Sequence, residues 1–346
     1  MTRTSPRLRV EGFDGLRGLC AIAVAIYHCL MWTDVATVYS VGAYGVYIFF
    51  VLSAASMVIA YAGRLGQTVS SGRFLLLRFA RLAPLYGATA VYRAIFSNVS
   101  TPLLPALLLN LSLLFGLSLT ATVPLVTGGW SIGIECAFYL LFPVLLEVTS
   151  TRRGRFGLCA LLAVAQAMHI TVSLDGHDTL LSAWEAYVHP LAFGGYFAAG
   201  MALGWSLLED ARPWRRQALA WAVAGGLVIT LGVGSASSSL LTISGLRGAA
   251  LAVAAVGLVV VVARLAIPAP LRAVGSRLGE WSYGIYLLHP LIFSGLSSRH
   301  LLGSVKSSDP VAFVVVVMLA TILVAAISWS VLERPLLTAF KRRLAS

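Results

Sequence analysis

Ten long apolar runs constrain the fold of this chain more than any other feature of its sequence. Each run is close to the roughly 20 residues that an α-helix needs to cross the hydrocarbon core of a bilayer. The runs lie at 13–32, 42–62, 80–97, 131–149, 156–173, 187–208, 218–233, 243–265, 281–298 and 311–333. The sequence therefore predicts an all-α polytopic membrane protein with about ten transmembrane helices.

The composition supports this fold class and excludes others. Charged residues make up 11% of the chain, whereas soluble globular domains hold about 25%. The formal net charge of +12 would suit a nucleic-acid-binding protein, but most lysines and arginines lie in short clusters beside apolar runs. That arrangement orients membrane proteins. We therefore expect the lipid bilayer and no nucleic acid as a partner. The four cysteines show no metal-ligand spacing, and we expect no metal site.

The basic clusters predict how the helices are oriented, because positive residues concentrate on the cytoplasmic side of a membrane. Basic loops and loops without basic residues alternate consistently along the chain, with both termini cytoplasmic, if an eleventh apolar segment, 103–119, does not cross the membrane. That segment is short and interrupted by Pro105, Asn110 and Gly116, and we expect it to be re-entrant or interfacial. The predicted external loop 299–310, which holds two basic residues, departs from the charge rule.

No extended polar segment divides the chain into separate domains. We expect a cytoplasmic N-terminal segment over 1–12, one transmembrane domain over 13–335 and a basic cytoplasmic tail over 336–346. The sequence Glu333-Arg334-Pro335, with adjacent opposite charges and a proline, predicts the end of the last helix.

Two ionisable residues share a face of the first predicted helix. Arg17 and His28 are 11 positions apart, a rise of roughly 16 Å along a helix and about half of the hydrocarbon thickness. Ionisable groups within a membrane span are usually functional. Arg17 is also compatible with interfacial anchoring beside Asp14, and His28 with packing. The alignment favours a catalytic group of His28, Arg17 and Asp14, in which neutral His28 accepts a proton from a hydroxyl.

A second basic pair lies at a predicted cytoplasmic boundary. Arg78 and Arg81 are three residues apart, so a helix places both on one face. Guanidinium forks match phosphate oxygens. Topological anchoring is the alternative, but the proline and tyrosine that follow at Pro84 and Tyr86 favour phosphate binding.

Further polar residues interrupt two later apolar runs. Glu135 lies about one turn inside its run, where a carboxylate needs a partner or serves as a helix-terminal acid. The predicted topology puts it toward the external face, where it would orient a hydroxylated acceptor. The candidates on the acceptor side, or with a structural role, are Ser131, Glu135, Tyr139, Tyr286 and His289.

These blocks, taken in order, resemble the integral-membrane acyltransferase 3 family over residues 11–335. The matching segments are 13–18 with Tyr27-His28, 45–53, Arg78-x-x-Arg81 with 82–86, 130–143, 282–290 and 333–335. The resemblance implies a ten-helix enzyme of the bacterial cytoplasmic (inner) membrane. Such an enzyme moves an acyl group, commonly acetyl, from cytoplasmic acyl-CoA to a hydroxyl of a carbohydrate or glycosylated acceptor. It also implies that Arg17 and His28 are the essential pair and that Arg78 and Arg81 bind the acyl donor.

Two departures from the family pattern concern the acceptor. Ala54 follows Ser53 where the family usually has glycine, and Tyr47 stands where an acidic residue is often found. We therefore do not carry an acceptor over from the family. We expect the chain to work without an appended periplasmic domain, and a homo-oligomer stays open. The alternative function is a transporter of a small anion or acylated glycan, which ten helices and midplane polar groups would also suit.

Overall fold

The computed structural model describes residues 8–96, 103–117, 124–234, 238–298 and 302–344, and in these ranges the chain is helical without β-strands. Its α-helices are α1 (Glu11–Trp32), α2 (Tyr39–Tyr61), α3 (Ser71–Phe96), α4 (Leu103–Ser112), α5 (Gly129–Val148), α6 (Arg152–Ser173), α7 (Trp184–Tyr187), α8 (Gly194–Glu209), α9 (Gln217–Val233), α10 (Ser239–Ile243), α11 (Gly245–Val262), α12 (Ala269–Leu296), α13 (Gly303–Ser308), α14 (Pro310–Ser328) and α15 (Arg334–Arg343).

Eight helical segments of the described chain are long and apolar enough to span a membrane. They are α1, α2, α3, α5, α6, α8 with its preceding turn, α11 and the continuous segment Pro310–Arg343. The protein is therefore an all-α polytopic membrane protein, as the apolar runs predicted. The two other predicted spans correspond to the shorter apolar α9 and to α12, which carries several charged residues near its start. The count of ten and the orientation stay predictions.

Helices α1 and α12 form the most extensive helix pair, and glycines let their backbones approach closely. A Cβ atom on Gly18 would lie 2.4 Å from the Cβ of Leu278, and one on Gly279 would lie 2.7 Å from the carbonyl oxygen of Asp14. Small residues permit this kind of packing between membrane helices. Gly18 and Gly279 therefore let α1 pack closely on α12, and Gly200 and Gly204 of α8 let it pack in a similar way on α2.

The segment that follows α3 is broken into two short helices. α4 ends at a break where Leu113 has a φ of 59°, and a 3₁₀ turn over Leu114–Leu117 packs on α5. Asn110 fastens this segment, since its Oδ1 accepts hydrogen bonds from the hydroxyl of Tyr86 (2.7 Å) and the amide of Leu125 (3.0 Å). A helix as short as α4 cannot cross a bilayer. Residues 118–119 of the predicted re-entrant or interfacial segment lie outside the described residues.

The prediction that Glu333-Arg334-Pro335 ends the last helix is wrong. The chain passes from α14 through a π turn (Trp329–Glu333) into α15 and stays helical to Arg343. Pro335 falls directly after the π turn, at the start of α15, and the chain stays helical across it. Glu333 accepts a hydrogen bond from the Ser328 hydroxyl (2.9 Å), so the π turn gives the buried carboxylate a partner without interrupting the helix.

The predicted external loop with two basic residues is described only in part. Lys306 lies in α13 with its ammonium 5.1 Å from the centre of the Phe293 ring. Arg299 lies outside the described residues, as do Arg3 and Arg7 of the predicted cytoplasmic N-terminal cluster.

Candidate functional site

A cavity of about 190 Å³ lies among α1, α2, α3, α5 and α12. Its polar lining combines guanidinium, hydroxyl and carboxylate groups from all five helices, and its apolar lining comes mainly from α2. The polar residues are Arg17, Ser53, Ser56, Arg78, Arg81, Ser131, Glu135, Tyr139, Ser282, Tyr283 and Tyr286. The cavity therefore brings together seven of the ten residues predicted from the sequence.

In the predicted orientation, Arg17 reaches the cavity from the cytoplasmic half of α1. Its guanidinium donates a hydrogen bond to Ser56 Oγ (3.2 Å) and lies 3.7 Å from an oxygen of Asp14. Asp14 is closer to Arg9, at 2.9 Å, and this hydrogen bond raises the pKa of the Arg9 guanidinium. Asp14 does not line the cavity. It is shared between two arginines at the edge of the site.

Arg78 is held by three aromatic rings. Its guanidinium carbon lies 5.3 Å from the ring centre of Tyr61, 5.7 Å from that of Phe74 and 5.6 Å from that of Tyr139. Such cation–π contacts are stronger where water is excluded. The buried Nε of Arg78 has no hydrogen-bond partner among the described residues. The rings thus orient the guanidinium without neutralising its charge.

Arg81 lines the same cavity one helical turn later. Among the described residues, no carboxylate forms an ion pair with Arg78 or Arg81. Arg81 and Arg17 are close enough to interact electrostatically across the cavity. The sequence spacing predicted that the two arginines of α3 share a face, and the structure places both on one cavity.

Glu135 supplies the carboxylate of the cavity lining. Its Oε1 accepts hydrogen bonds from the hydroxyls of Ser53 and Tyr139. Both donors are neutral hydroxyls. In the cavity lining three guanidinium groups face one carboxylate, and Asp14 at the edge is shared between Arg17 and Arg9, so guanidinium groups outnumber carboxylates at this site. The topology placed Glu135 toward the external face, but the structure puts it in the same cavity as the arginines. Sequence reasoning missed the roles of Ser53 and Ser56, whose signal is a pair of hydroxyls three residues apart in an apolar helix.

Ser131 and Tyr286 form another wall of the cavity. Ser131 Oγ lies 2.9 Å from the Tyr286 hydroxyl, which donates to the carbonyl of Gly128 (2.9 Å). Gly128 has a φ of 80°, a conformation that glycine adopts without strain. Tyr286 in turn contacts the His289 ring, with 6.2 Å between the ring centres. This tyrosine therefore lies between the cavity and the histidines.

The two predicted histidines lie against each other. His28 Nδ1 is 3.1 Å from His289 Nε2, and the rings are nearly parallel, with centres 5.2 Å apart. The Trp32 ring lies alongside both of them. His289 is almost fully buried at 1% exposure, and His28 does not line the cavity. The sequence pointed to each histidine separately but did not indicate that they pair.

The described residues contain no group of three His, Cys, Asp or Glu side chains that could hold a metal ion. What the site offers is a cavity in which guanidinium groups outnumber carboxylates, beside a paired imidazole, an arrangement suited to an anionic ligand and to proton transfer. Comparisons with the curated proteins and with the solved structures found no match. The model of the family Acyl_transf_3, described as an acyltransferase domain, matches residues 10–330, and the protein therefore belongs to this family as a multi-pass membrane acyltransferase.

Proposed function

We propose that the protein transfers an acyl group, in the simplest case acetyl, from cytoplasmic acyl-CoA to a hydroxyl of a carbohydrate or glycosylated acceptor. The observation that supports this proposal is the convergence of Arg17, Arg78 and Arg81 on one cavity whose lining holds a single carboxylate. Coenzyme A carries phosphate groups, and guanidinium forks bind phosphate oxygens through short, charge-assisted hydrogen bonds.

The arginines divide the task of holding the donor. Arg78 and Arg81, on the cytoplasmic half of α3 in the predicted orientation, bind the phosphates. The aromatic rings around Arg78 hold its guanidinium in place before the donor arrives, which lowers the cost of ordering it on binding. Arg17 lies on the opposite wall and contributes to phosphate binding from α1.

The acyl group must then travel from the arginines to His28. α1 is continuous over Glu11–Trp32, so the rise from Arg17 to His28 is roughly 16 Å. The extended pantetheine arm of coenzyme A covers this distance. It would pass Ser131 and Tyr286, which line the cavity on the side of the histidines.

In the direct mechanism, His28 acts as general base. Its imidazole takes the proton of the acceptor hydroxyl while that oxygen attacks the thioester carbonyl carbon. The new carbon–oxygen bond forms, the carbon–sulfur bond breaks, and the coenzyme A thiolate leaves. The thiolate recovers the proton from the imidazolium, so the enzyme is regenerated. A two-step relay through an acyl-enzyme is the second route to the same product.

The donor site can be tested by coenzyme A binding to the purified protein in nanodiscs. A charge-assisted hydrogen bond contributes about 1.5–3 kcal/mol, so replacing Arg78 and Arg81 with alanine should weaken binding at least about 10-fold by calorimetry. Arg73→Ala is the matched control, because Arg73 lies on the same helix but does not line the cavity. Equal affinities for the double variant and the native protein would show that Arg78 and Arg81 serve topology alone.

Measuring the mass of an added oligosaccharide distinguishes acyl transfer from transport. An oligosaccharide that gains the mass of an acetyl group only when acetyl-CoA and the protein are both present supports transfer. Uptake of acetate or of an acetylated glycan into proteoliposomes, with no acetyl-CoA-dependent product, would instead favour the transporter. We place the donor on the cytoplasmic side because of the clustered basic residues. We place the activity in the bacterial cytoplasmic membrane because of the family resemblance.

A further inference from the structure

We propose that His289 is a positioning residue that fixes the tautomer of His28, so that the Nε2 atom of His28 is the one that accepts the proton. This inference rests on the proposed role of His28 as the base. The hydrogen-bond partners of the two rings determine which of their nitrogens carry a proton.

His289 is anchored by carbonyl groups of its own helix. Pro290 follows His289 and has no N–H group, so the carbonyl of Tyr286, four residues earlier, lacks its usual helical donor. The His289 ring lies over this turn, with its Nδ1 3.2 Å from the carbonyl oxygen of Ile285 and a further contact to the carbonyl of Tyr286. Carbonyl oxygens only accept hydrogen bonds. Nδ1 of His289 therefore carries the ring proton.

The position of the ring proton on His289 determines the tautomer of His28. A neutral histidine with its proton on Nδ1 has a bare lone pair on Nε2. That Nε2 of His289 is 3.1 Å from Nδ1 of His28. Because two bare lone pairs would repel at this distance, Nδ1 of His28 carries its proton and donates it. The remaining nitrogen of neutral His28, Nε2, is then the free acceptor.

The hydrogen bond between His28 and His289 changes during the proposed reaction. When His28 takes up a proton, it becomes a cation, and its Nδ1–H bond to His289 becomes charge-assisted and stronger. An interaction that strengthens only as charge develops lowers the barrier rather than merely binding substrate. The Trp32 ring, which lies nearly parallel to both imidazoles, keeps the two rings aligned. His289 thus has the role that a hydrogen-bonded carboxylate has in a catalytic triad, but without a charge.

Two substitutions of His289 distinguish a role in positioning His28 from a role in packing alone. His289→Gln keeps an acceptor for the His28 Nδ1–H and a donor for the helix carbonyls, whereas His289→Leu keeps bulk and removes both. We expect His289→Leu to lower kcat about 100-fold with KM for acetyl-CoA nearly unchanged, and His289→Gln to recover at least 10-fold of that loss. The matched control is His169→Leu, since His169 also contacts a second histidine ring, that of His189, outside the cavity. Equal activity of the Leu and Gln variants would overturn the positioning role.

A spectroscopic measurement tests the tautomer without relying on activity. In nanodiscs with ¹⁵N-labelled histidine, the native protein should show His28 protonated at Nδ1 and bare at Nε2, assigned by difference from His28→Gln. The opposite tautomer would overturn the proposal even if the variants lose activity. If the tautomer is found but His28→Gln transfers acetyl at the native rate, His289 still fixes the tautomer of His28, but the proposed role of His28 as base fails.

Discussion

At the scale of single residues, the chemistry depends on which groups in the bilayer are left without a neutralising partner. Arg78 is surrounded by aromatic rings, and Glu135 receives hydrogen bonds from two neutral hydroxyls. Charges of this kind are costly in a membrane interior unless a ligand or a cavity justifies them. The spacing of Arg78 and Arg81 predicted that the two share one face of their helix. Ser53 was not singled out as a site residue, because a hydroxyl in an apolar helix is compatible with many packing roles.

Replacing His28 should reduce catalysis without unfolding the protein. We expect His28→Ala to lower acetyl transfer by about 10²–10⁴-fold, the usual contribution of a general base. Turnover is measured with labelled acetyl-CoA, and folding by size-exclusion chromatography in detergent. Cys29→Ala is the control on the same helix, since Cys29 is fully buried and outside the cavity lining. A variant that keeps most of its activity would remove His28 from the mechanism.

Replacing Glu135 should affect the donor in the opposite direction from replacing the arginines. Glu135→Gln removes the carboxylate from a cavity in which guanidinium groups outnumber carboxylates. The carboxylate's repulsion of a bound phosphate is on the order of 1 kcal/mol. Coenzyme A should therefore bind about five-fold more tightly. Tyr283→Phe, which lines the cavity without changing its charge, is the control. Weaker binding by Glu135→Gln would mean that the carboxylate orders the site rather than opposing the anion.

At the scale of helices, the site depends on contacts that a single sequence does not reveal. The apolar runs predicted where the helices lie, and the breaks at Pro105 and Gly116 predicted that this segment differs from a full span. The pairing of His28 with His289 was not predictable, because they are 261 positions apart and the sequence of neither helix indicates which helix packs on it. The continuation of the last helix past Pro335 was missed because the π turn depends on a local hydrogen bond to Glu333.

The close contact of α1 with α12 predicts a sharp response at Gly18. Gly18→Ala would place a Cβ 2.4 Å from the Cβ of Leu278, and overpacking of this kind costs about 1–3 kcal/mol. We expect a lower Tm in detergent and lower acetyl transfer, since the same two helices carry the paired histidines. Gly225→Ala is the control, because a Cβ there would meet no atom within 4 Å. Equal melting temperatures for the two variants would contradict the observed packing.

At the scale of the whole molecule, the direction of the proposed reaction depends on the predicted orientation in the membrane. In that orientation the arginine cavity lies in the half nearer the cytoplasm, the compartment from which we propose that acyl-CoA binds. The fold class and the family followed from patterns spread along the entire chain, which is why the sequence sufficed for them. The proposed acceptor would be selected by the shape of a few side chains, with Ser131 and Tyr286 as the candidates, and no pattern in the sequence encodes that shape.

The orientation is testable with single cysteines introduced after the four native ones are replaced. Asp178→Cys lies in the predicted external loop 174–186, and Arg215→Cys lies in the predicted cytoplasmic cluster 212–216. A membrane-impermeant maleimide should label the cysteine at 178 on intact cells and the cysteine at 215 only after lysis. The two sites act as controls for each other. The reverse pattern would invert the topology and put the donor cavity on the wrong side for cytoplasmic acyl-CoA.

The glycine-mediated seam between α1 and α12 also limits how the protein can move. Shifting one helix along the other by a single turn, 5.4 Å, would separate the histidine rings and drive side chains into the glycine positions. A rocking mechanism that slides these two helices past each other is therefore sterically blocked. We therefore expect an opening that admits the proposed donor to come from movement of the other helices that line the cavity, while α1 and α12 stay packed together.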